Sequence, residues 1–227
     1  MNFMKKNNQK NAFLNYEANE WFNRNKETLK NYDGSNDLVV DLLEKYNTNF
    51  KNVLEIGCSY GYRLNHLKKK YNQCSVFGID PSSLAIEFGK KEYPNINLHE
   101  GTADKMSNYK TNFFDVVIVG FVFYVLDRDD LLKVVSEIDR VLNNGGTLII
   151  IDFFALKPHK NPYEHIKNFN AYSFKQSYEE VFLASKLYSL FDKITVNHQD
   201  HSMDLVDNYS EKMTYTLLKR DIIANYG

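Results

Sequence analysis

Two carboxylates and two glycines mark the stretch of this chain best suited to chemistry. In Val53-Leu54-Glu55-Ile56-Gly57-Cys58-Ser59-Tyr60-Gly61 an apolar run delivers an acid, Glu55, just ahead of Gly57, and Gly61 follows four residues later. Glycines at a strand-to-helix turn let the backbone approach a ligand where a Cβ would collide. Asp80 ends the next apolar run, 25 residues after Glu55. There it can accept hydrogen bonds from a ribose diol. A dinucleotide turn would read G-x-G-x-x-G and face a pyrophosphate. This one reads E-x-G-x-x-x-G, and its acid repels phosphate.

A nucleoside joined to a cationic amino group suits that acid better, and S-adenosylmethionine carries an ammonium and a sulfonium without phosphate. The same residues also spell G-x-S-x-G, the nucleophile elbow of serine hydrolases, with Ser59 as nucleophile. Asp152 or Asp192 and His198 or His201 would complete that triad. Against it, no HGG-like oxyanion segment lies upstream, and Asp80 would have no role. A non-catalytic nucleotide-binding domain is a third reading. Cys58 and Cys74 form no CxxC pair, and the histidines and acids lack ligand spacing, so no metal is expected.

The elements that must position these groups follow a strand–helix rhythm. A helix is expected over about residues 15–30, and another opened by Asn36 or Asp37 with an apolar stripe through Leu38, Val39, Leu42, Leu43 and Tyr46. Strands are expected at Val53–Ile56, Val76–Ile79, Ile96–His99, Phe114–Gly120 and Thr147–Ile151. Helices lie between them: one through Leu64 and Leu67, one capped by Ser82 or Ser83, and one from Asp127 to the Asn144-Gly145-Gly146 stop. The alternation predicts an α/β fold, a Rossmann-like open parallel sheet with helices on both faces. Residues 153–176 show no periodicity. Ser177-Tyr178-Glu179-Glu180 has capping-box spacing and predicts a helix through Leu187. Two final strands, Ile194–His198 and Met213–Lys219, predict an antiparallel hairpin at the sheet edge. The domain division is residues 1–36 as a helical lid and 37–227 as the main domain, with an acceptor-pocket insertion at about 153–190.

With 28 basic and 29 acidic residues the net charge is -1, so no nucleic-acid partner is expected. Apolar stretches fall short of a membrane span, and the polar start does not read as an export signal. A cytoplasmic location is expected, and oligomeric state cannot be read.

Val53 to Asp152 resembles the class I S-adenosylmethionine-dependent methyltransferases. VLEIGCSYG is similar to their glycine-rich first motif, with Ser59 where many members have a glycine, and FGIDPS to their second. EGTADKMS resembles the adenine-contacting segment, FDVVIVGFVFYVLDR the fourth strand and its loop, and VLNNGGTLIIIDF the approach to strand five. The resemblance implies seven strands with an antiparallel last pair, and S-adenosylhomocysteine as product. It implies cofactor contacts from Glu55, Gly57, Cys58, Ser59, Gly61, Asp80, Pro81, Ala103, Asp104 and Gly120. NEWFNRN resembles a segment that some bacterial members place over the cofactor, which implies Trp21, Phe22 and Arg24 as lid contacts. Phe121 is expected near the sulfonium, where an aromatic face favours a cation; period-two spacing puts Phe123 on its side. The catalytic candidates are Tyr124, in the loop after strand four, and His165 and His159, in the irregular stretch. Tyr163, Tyr172 and Lys175 would line the acceptor pocket, Lys175 meeting an anionic group. The expected acceptor is a small polar metabolite methylated on oxygen or nitrogen, such as a sugar, nucleotide-sugar or surface-glycan precursor.

Overall fold

A computed structural model describes residues 8–46, 49–166, 170–203 and 212–226. The start of the expected lid, residues 1–7, lies outside them. Helix α1 (Asn8–Ala12) runs through a π-helical turn (Phe13–Glu17) into α2 (Ala18–Leu29). After α3 (Leu38–Lys45) come β1 (Asn52–Ile56), α4 (Tyr62–Lys70), β2 (Ser75–Asp80), α5 (Ser83–Glu92), β3 (Asn97–Glu100) and β4 (Phe114–Gly120). Then follow α6 (Leu131–Val141), β5 (Leu142–Phe153), β6 (His159–Pro162), β7 (Tyr172–Lys175), α7 (Glu179–Ala184), β8 (Tyr188–Asn197), β9 (Lys212–Arg220) and α8 (Ile222–Tyr226).

The main sheet has seven strands in the order β3-β2-β1-β4-β5-β9-β8. The first five are parallel, and β9 runs antiparallel to both β5 and β8. Strand order reverses between β1 and β4, so the crevice beyond their carboxyl ends is where such sheets hold ligands. The period-two pleat sorts the core. Val53 packs with Val39, Leu43, Leu64 and Val116 on the α3 and α4 face, while Leu54 and Ile56 pack with Val117, Ile138 and Phe182 on the α6 and α7 face. Glu55, two residues after Val53, therefore points to the α3 and α4 side. Helix α6 buries Val134, Ile138 and Val141, the spacing of one helical face.

Several local expectations change. Residues 153–176 contain the two-stranded sheet β6–β7. The expected capping box at Ser177 does not form: α7 starts at Glu179 with no side-chain cap bond. Tyr178 is instead anchored by donating to the Phe174 carbonyl at 2.6 Å and by stacking on Phe123. That helix ends at Ala184 rather than Leu187, because Lys186 takes a left-handed φ of 61° and turns the chain into β8. Asp127 caps a short 3-10 turn, Arg128–Asp130, ahead of α6. Asn144-Gly145-Gly146 is not the helix stop: Leu142 already pairs with Phe114, and the glycines lie where the register shifts before Thr147 pairs with Val116. Among the described residues, no helix is long and apolar enough to cross a membrane.

Candidate active site

The glycine turn is tight because the protein's own backbone crosses there. Gly57 has φ of 76°, and a Cβ on it would lie 2.6 Å from the Gly120 carbonyl oxygen. Gly61, at φ 83°, would press a Cβ to 2.5 Å from Ile96. Between them Ser59 occupies the left-handed region at φ 49°, a conformation most side chains avoid. Its N–H donates to Asp80 at 2.8 Å, and the Ser82 N–H donates to the other Asp80 oxygen at 2.8 Å. Dry surroundings push Asp80 up to about 6 against those two amide bonds. Ser82, rather than Ser83, caps α5, and its hydroxyl also donates to Asn19 of α2 at 2.8 Å. Pro81 follows in the same partly buried turn. Cys58 is buried in the core behind it.

Glu55, the acid expected to suit a cationic amino group, also has a partner within the chain. Glu55 is 2% exposed, and the guanidinium of Arg63 pairs with its Oε1. A lone carboxylate that deep costs several kcal/mol of desolvation, so it carries a partner. Arg63 also donates from Nε to Asp37 at 2.7 Å. Burial nevertheless raises Glu55 to about 7, against the pull of Arg63, and Glu55 Oε2 is buried with no bond to the described residues. Two carboxylates share one guanidinium and Asp80 stands alone, so the crevice keeps an excess of negative charge. The sequence reading missed Arg63 and knew Asp37 only as a cap. The available signal was a basic residue in the first turn of the helix after Gly61.

On the other side of the crevice, Phe121 is held at φ 53° by its N–H bond to the Ile151 carbonyl at 2.8 Å. Its ring packs on Phe153 and His198, with centroids 5.4 and 5.7 Å away. Phe123 is fully buried instead. The two do not share a side, because the strand ends at Gly120 and the period of two stops there. Asp152, at the carboxyl end of β5, accepts the Phe123 and Tyr124 N–H groups at 2.9 and 3.3 Å. It fixes the turn that presents Tyr124. Burial raises Asp152 to about 7 against these amides.

The N-terminal helical segment and the β6–β7 hairpin meet near Tyr124. Tyr163 lies 6.4 Å from it ring to ring and donates to Glu17 at 2.8 Å. Glu17, buried at the end of the π-helical turn, also pairs with Arg24. Trp21 is half-buried on the same helical face, four residues after Glu17 and three before Arg24. Phe22 points elsewhere, onto Tyr60 and Phe88. Gln9 clamps the loop after β4 to the hairpin, donating to the Val125 and Tyr172 carbonyls at 2.9 and 3.0 Å. Lys10 bridges Asp104 and Asp130 at 2.6 and 2.9 Å. Ala103 is buried beside Ile79 and Met106. His165 is exposed with its ring 5.6 Å from Tyr163. His159 is exposed on β6, its ring nitrogen 3.1 Å from the Lys157 carbonyl. Lys175 is buried, and its ammonium sits 4.5 Å over Phe153. Tyr172 lies under Lys160. The structure thus gathers Tyr124, Tyr163, His165 and Lys175 and leaves His159 on the outer edge of the hairpin.

Ser59 Oγ has no hydrogen-bond partner among the described residues, so none of them activates it as a nucleophile. No metal-holding group of side chains occurs among the described residues either. A cleft of about 530 Å³ between Tyr46, Asp115, Asn143 and Phe191 opens at the amino ends of the strands, away from these residues.

Known proteins now supply the context. The family model of a methyltransferase domain matches residues 53–146. These residues form a methyltransferase domain, and the chain is similar to class I S-adenosylmethionine-dependent methyltransferases. An uncharacterised methyltransferase of Alkaliphilus oremlandii is 21% identical over 208 residues, covering 86% of this chain and 87% of that protein. A ubiquinone/menaquinone biosynthesis C-methyltransferase of Campylobacter jejuni is 28% identical, with 44% of each chain covered. The chain thus spans under half the length of that relative. The fold matches the 1,6-didemethyltoxoflavin-N1-methyltransferase of Burkholderia thailandensis, solved with that compound and S-adenosylhomocysteine. The TM-score is 0.70 at 9% identity, covering 97% of this chain and 93% of that one. The crevice fits S-adenosylmethionine in charge: among the described residues buried Glu55 Oε2 and Ser59 Oγ have no hydrogen-bond partner, and acids outnumber the guanidinium.

Proposed function

We propose that this methyltransferase methylates an oxygen, or less readily a nitrogen, of a small polar metabolite that lays a ring against Tyr124, Phe153 and Tyr163. The observation that carries the reading is the convergence near Tyr124 of the N-terminal acid Glu17 and the hairpin phenol Tyr163. S-adenosylmethionine, when bound, supplies an electrophilic methyl group. Asp80 would take its ribose, Glu55 its ammonium and the Ala103–Asp104 turn its adenine, with Trp21 covering it and Phe121 near the sulfonium.

Burial pushes the phenols of Tyr124 and Tyr163 far above their ordinary range. Both stay protonated and would orient the acceptor by hydrogen bonds, and His165, beside Tyr163, would accept a proton. Holding the acceptor in line supplies much of the barrier reduction, up to about 7–11 kcal/mol. Lys175 would meet an anionic substituent. Sugars, nucleotide-sugars and related glycan precursors offer such a ring and handle. The rings of Phe121, Tyr124, Phe153 and Tyr163 favour a second reading, a planar heteroaromatic acceptor, because flat π-faces stack best on one another.

Calorimetry with S-adenosylmethionine against NAD, with Asp80→Ala as control, tests the cofactor site; binding of NAD alone would sink the reading. Protein loaded with S-adenosylhomocysteine is then titrated with UDP-glucuronate and with a hydroxylated pteridine. Heat from the first alone supports the sugar reading, and from the second alone the heteroaromatic one.

A further inference from the structure

We propose that the cleft at the amino ends of the strands is a second binding site, built for a neutral sugar ring and separate from the methyl-transfer crevice. It depends on neither the cofactor nor the acceptor reading.

Two irregularities of the sheet open into this cleft. β4 pairs with β5 at Phe114–Leu142 and again at Val116–Thr147, so residues 143–146 have no register partner on β4. At the far edge the β8–β9 register slips between Leu190 and Asp192, and Phe191 stands outside the ladder. Bulges re-aim side chains, and they gather beside binding sites. Both of these line one cleft of about 530 Å³, within the range of about 300–1,000 Å³ that small-molecule sites occupy. Asn112 and Gly145 line it too, in left-handed backbone at φ 48° and 76°. A Cβ on Gly145 would meet nothing within 4 Å, so the loop there borders open space. The Phe191 ring is 51% exposed and held edge-on by Tyr46, with centroids 6.2 Å apart. The Tyr46 hydroxyl in turn donates to Asp192 at 2.9 Å, so the platform stands ready before any ligand arrives.

The lining selects the ligand by elimination. One Asp115 oxygen accepts the Lys51 and Asn52 N–H groups at 2.8 and 3.0 Å, and the other accepts the Asn143 amide at 2.8 Å. That filled carboxylate offers a cation little, and it opposes an anion drawn to Lys219, the other charged residue of the lining. An apolar molecule would strip water from the asparagine amides and return no bonds. Asn143 has spent an N–H on Asp115, and the Asn144 oxygen accepts the Ile222 N–H at 2.9 Å. Among the described residues this leaves an acceptor on Asn143 and a donor on Asn144, side by side. Hydroxyl groups both donate and accept, and so answer such a pair. A pyranose combines a rim of hydroxyls with an apolar C–H face for the Phe191 ring.

Amide chemical-shift mapping on the whole chain decides the matter, with methyl β-glucoside, cellobiose and benzoate as probes. Both sugars should shift the amides of Asn112, Gly145, Thr147 and Phe191 with a Kd of about 1–10 mM, and benzoate should leave them in place. The same Kd is expected with S-adenosylhomocysteine present, because the crevice lies at the opposite ends of the strands. Phe191→Ala and Asn112→Gly, the second of which keeps a residue at ease in left-handed backbone, should each weaken both sugars about five- to tenfold. Sugars that shift no amide, or benzoate that shifts the same amides as strongly, overturn the proposal even if both variants fail to fold. Full sugar affinity in both variants overturns it too. Shifts confined to Tyr124 and Tyr163, or sugar binding abolished by S-adenosylhomocysteine, would put the sugar in the crevice instead and overturn the cleft site.

Discussion

The two halves of the crevice are built by different means. Around Glu55, Gly57 and Asp80 the order is local: loop amides satisfy Asp80 from residues 2 and 21 positions away, and Arg63 reaches Glu55 across eight. Around Tyr124 it is long-range. Gln9 bonds residues 116 and 163 positions on, and Tyr163 reaches Glu17 across 146. The first half is fixed by backbone geometry that any sequence variation must respect. The second is a meeting of side chains from three segments, and those can change without disturbing the sheet. A shared cofactor and a variable acceptor are what such a division permits.

The comparison breaks hardest at Asp80. Asp80→Ala removes the proposed ribose acceptor and the anchor of the Ser59 and Ser82 amides together, and should weaken S-adenosylmethionine binding by about 3 kcal/mol, roughly a hundredfold. Calorimetry that found its Kd within a factor of three of wild type would place the cofactor elsewhere. Gly57→Ala comes next. Its Cβ would meet the Gly120 carbonyl at 2.6 Å in a left-handed backbone. A loss of about 2–3 kcal/mol in unfolding free energy is expected from denaturant titration. A wild-type midpoint would show that the crossing is looser than described.

Acidity offers a subtler break. Asp80 is raised to about 6 and Glu55 and Asp152 to about 7, so the folded state holds these protons more tightly than the unfolded chain. Stability from these groups is fully present below the ordinary carboxylate pKa of about 4 and is lost as pH rises from there through about 7. Affinity for the cationic cofactor should rise over pH 5.5 to 7.5, as Glu55 and Asp80 ionise. Opposite slopes of apo melting temperature and S-adenosylmethionine affinity are the expected result, and parallel slopes would remove these acids from the site.

Glu17→Gln probes the other half. It removes one partner of Arg24 and the charged acceptor of Tyr163. Because the Arg24 side chain is 35% exposed, the loss should be about 1–2 kcal/mol rather than that of a fully buried pair. Binding of S-adenosylhomocysteine should be unchanged, while amide exchange in α2 speeds up. A large fall in cofactor affinity would mean that the halves are not separable.

The same contrast explains what could be read in the chain beforehand. The strands, the glycine turn and Asp80 were legible because strand, turn and helix residues lie within a few positions of one another. The antiparallel last pair was legible too, because its two strands lie close in sequence, and the family resemblance implied the same pair. Arg63 escaped because a guanidinium in an amphipathic helix reads as solvated until Glu55 is seen on the same pleat face. Glu17 and Gln9 escaped for a stronger reason: their partners are set by the docking of the N-terminal helix, and no local pattern records that. Lys175 was expected at the acceptor pocket, but its burial, with the Phe153 ring under its ammonium, is set by a distant element and has no local pattern.

Ser59 sharpens the comparison with the smallest effect, and with two signs at once. It sits at φ 49°, 4% exposed, with its hydroxyl unbonded to the described residues. Ser59→Gly relieves a left-handed strain of about 1 kcal/mol and removes a desolvated hydroxyl, while giving back roughly 0.5 kcal/mol to the freer unfolded chain. The apo protein should melt about 1–3 °C higher. If the hydroxyl waits for the cofactor, the same change weakens S-adenosylmethionine binding by about 1 kcal/mol, five- to tenfold. A more stable protein that binds less well would mark a position where the chain has given up stability for its ligand. Higher stability with unchanged affinity would leave the serine a mere substitute for glycine, and loss of all activity in Ser59→Ala, with the cofactor still bound, would reopen its case as a nucleophile.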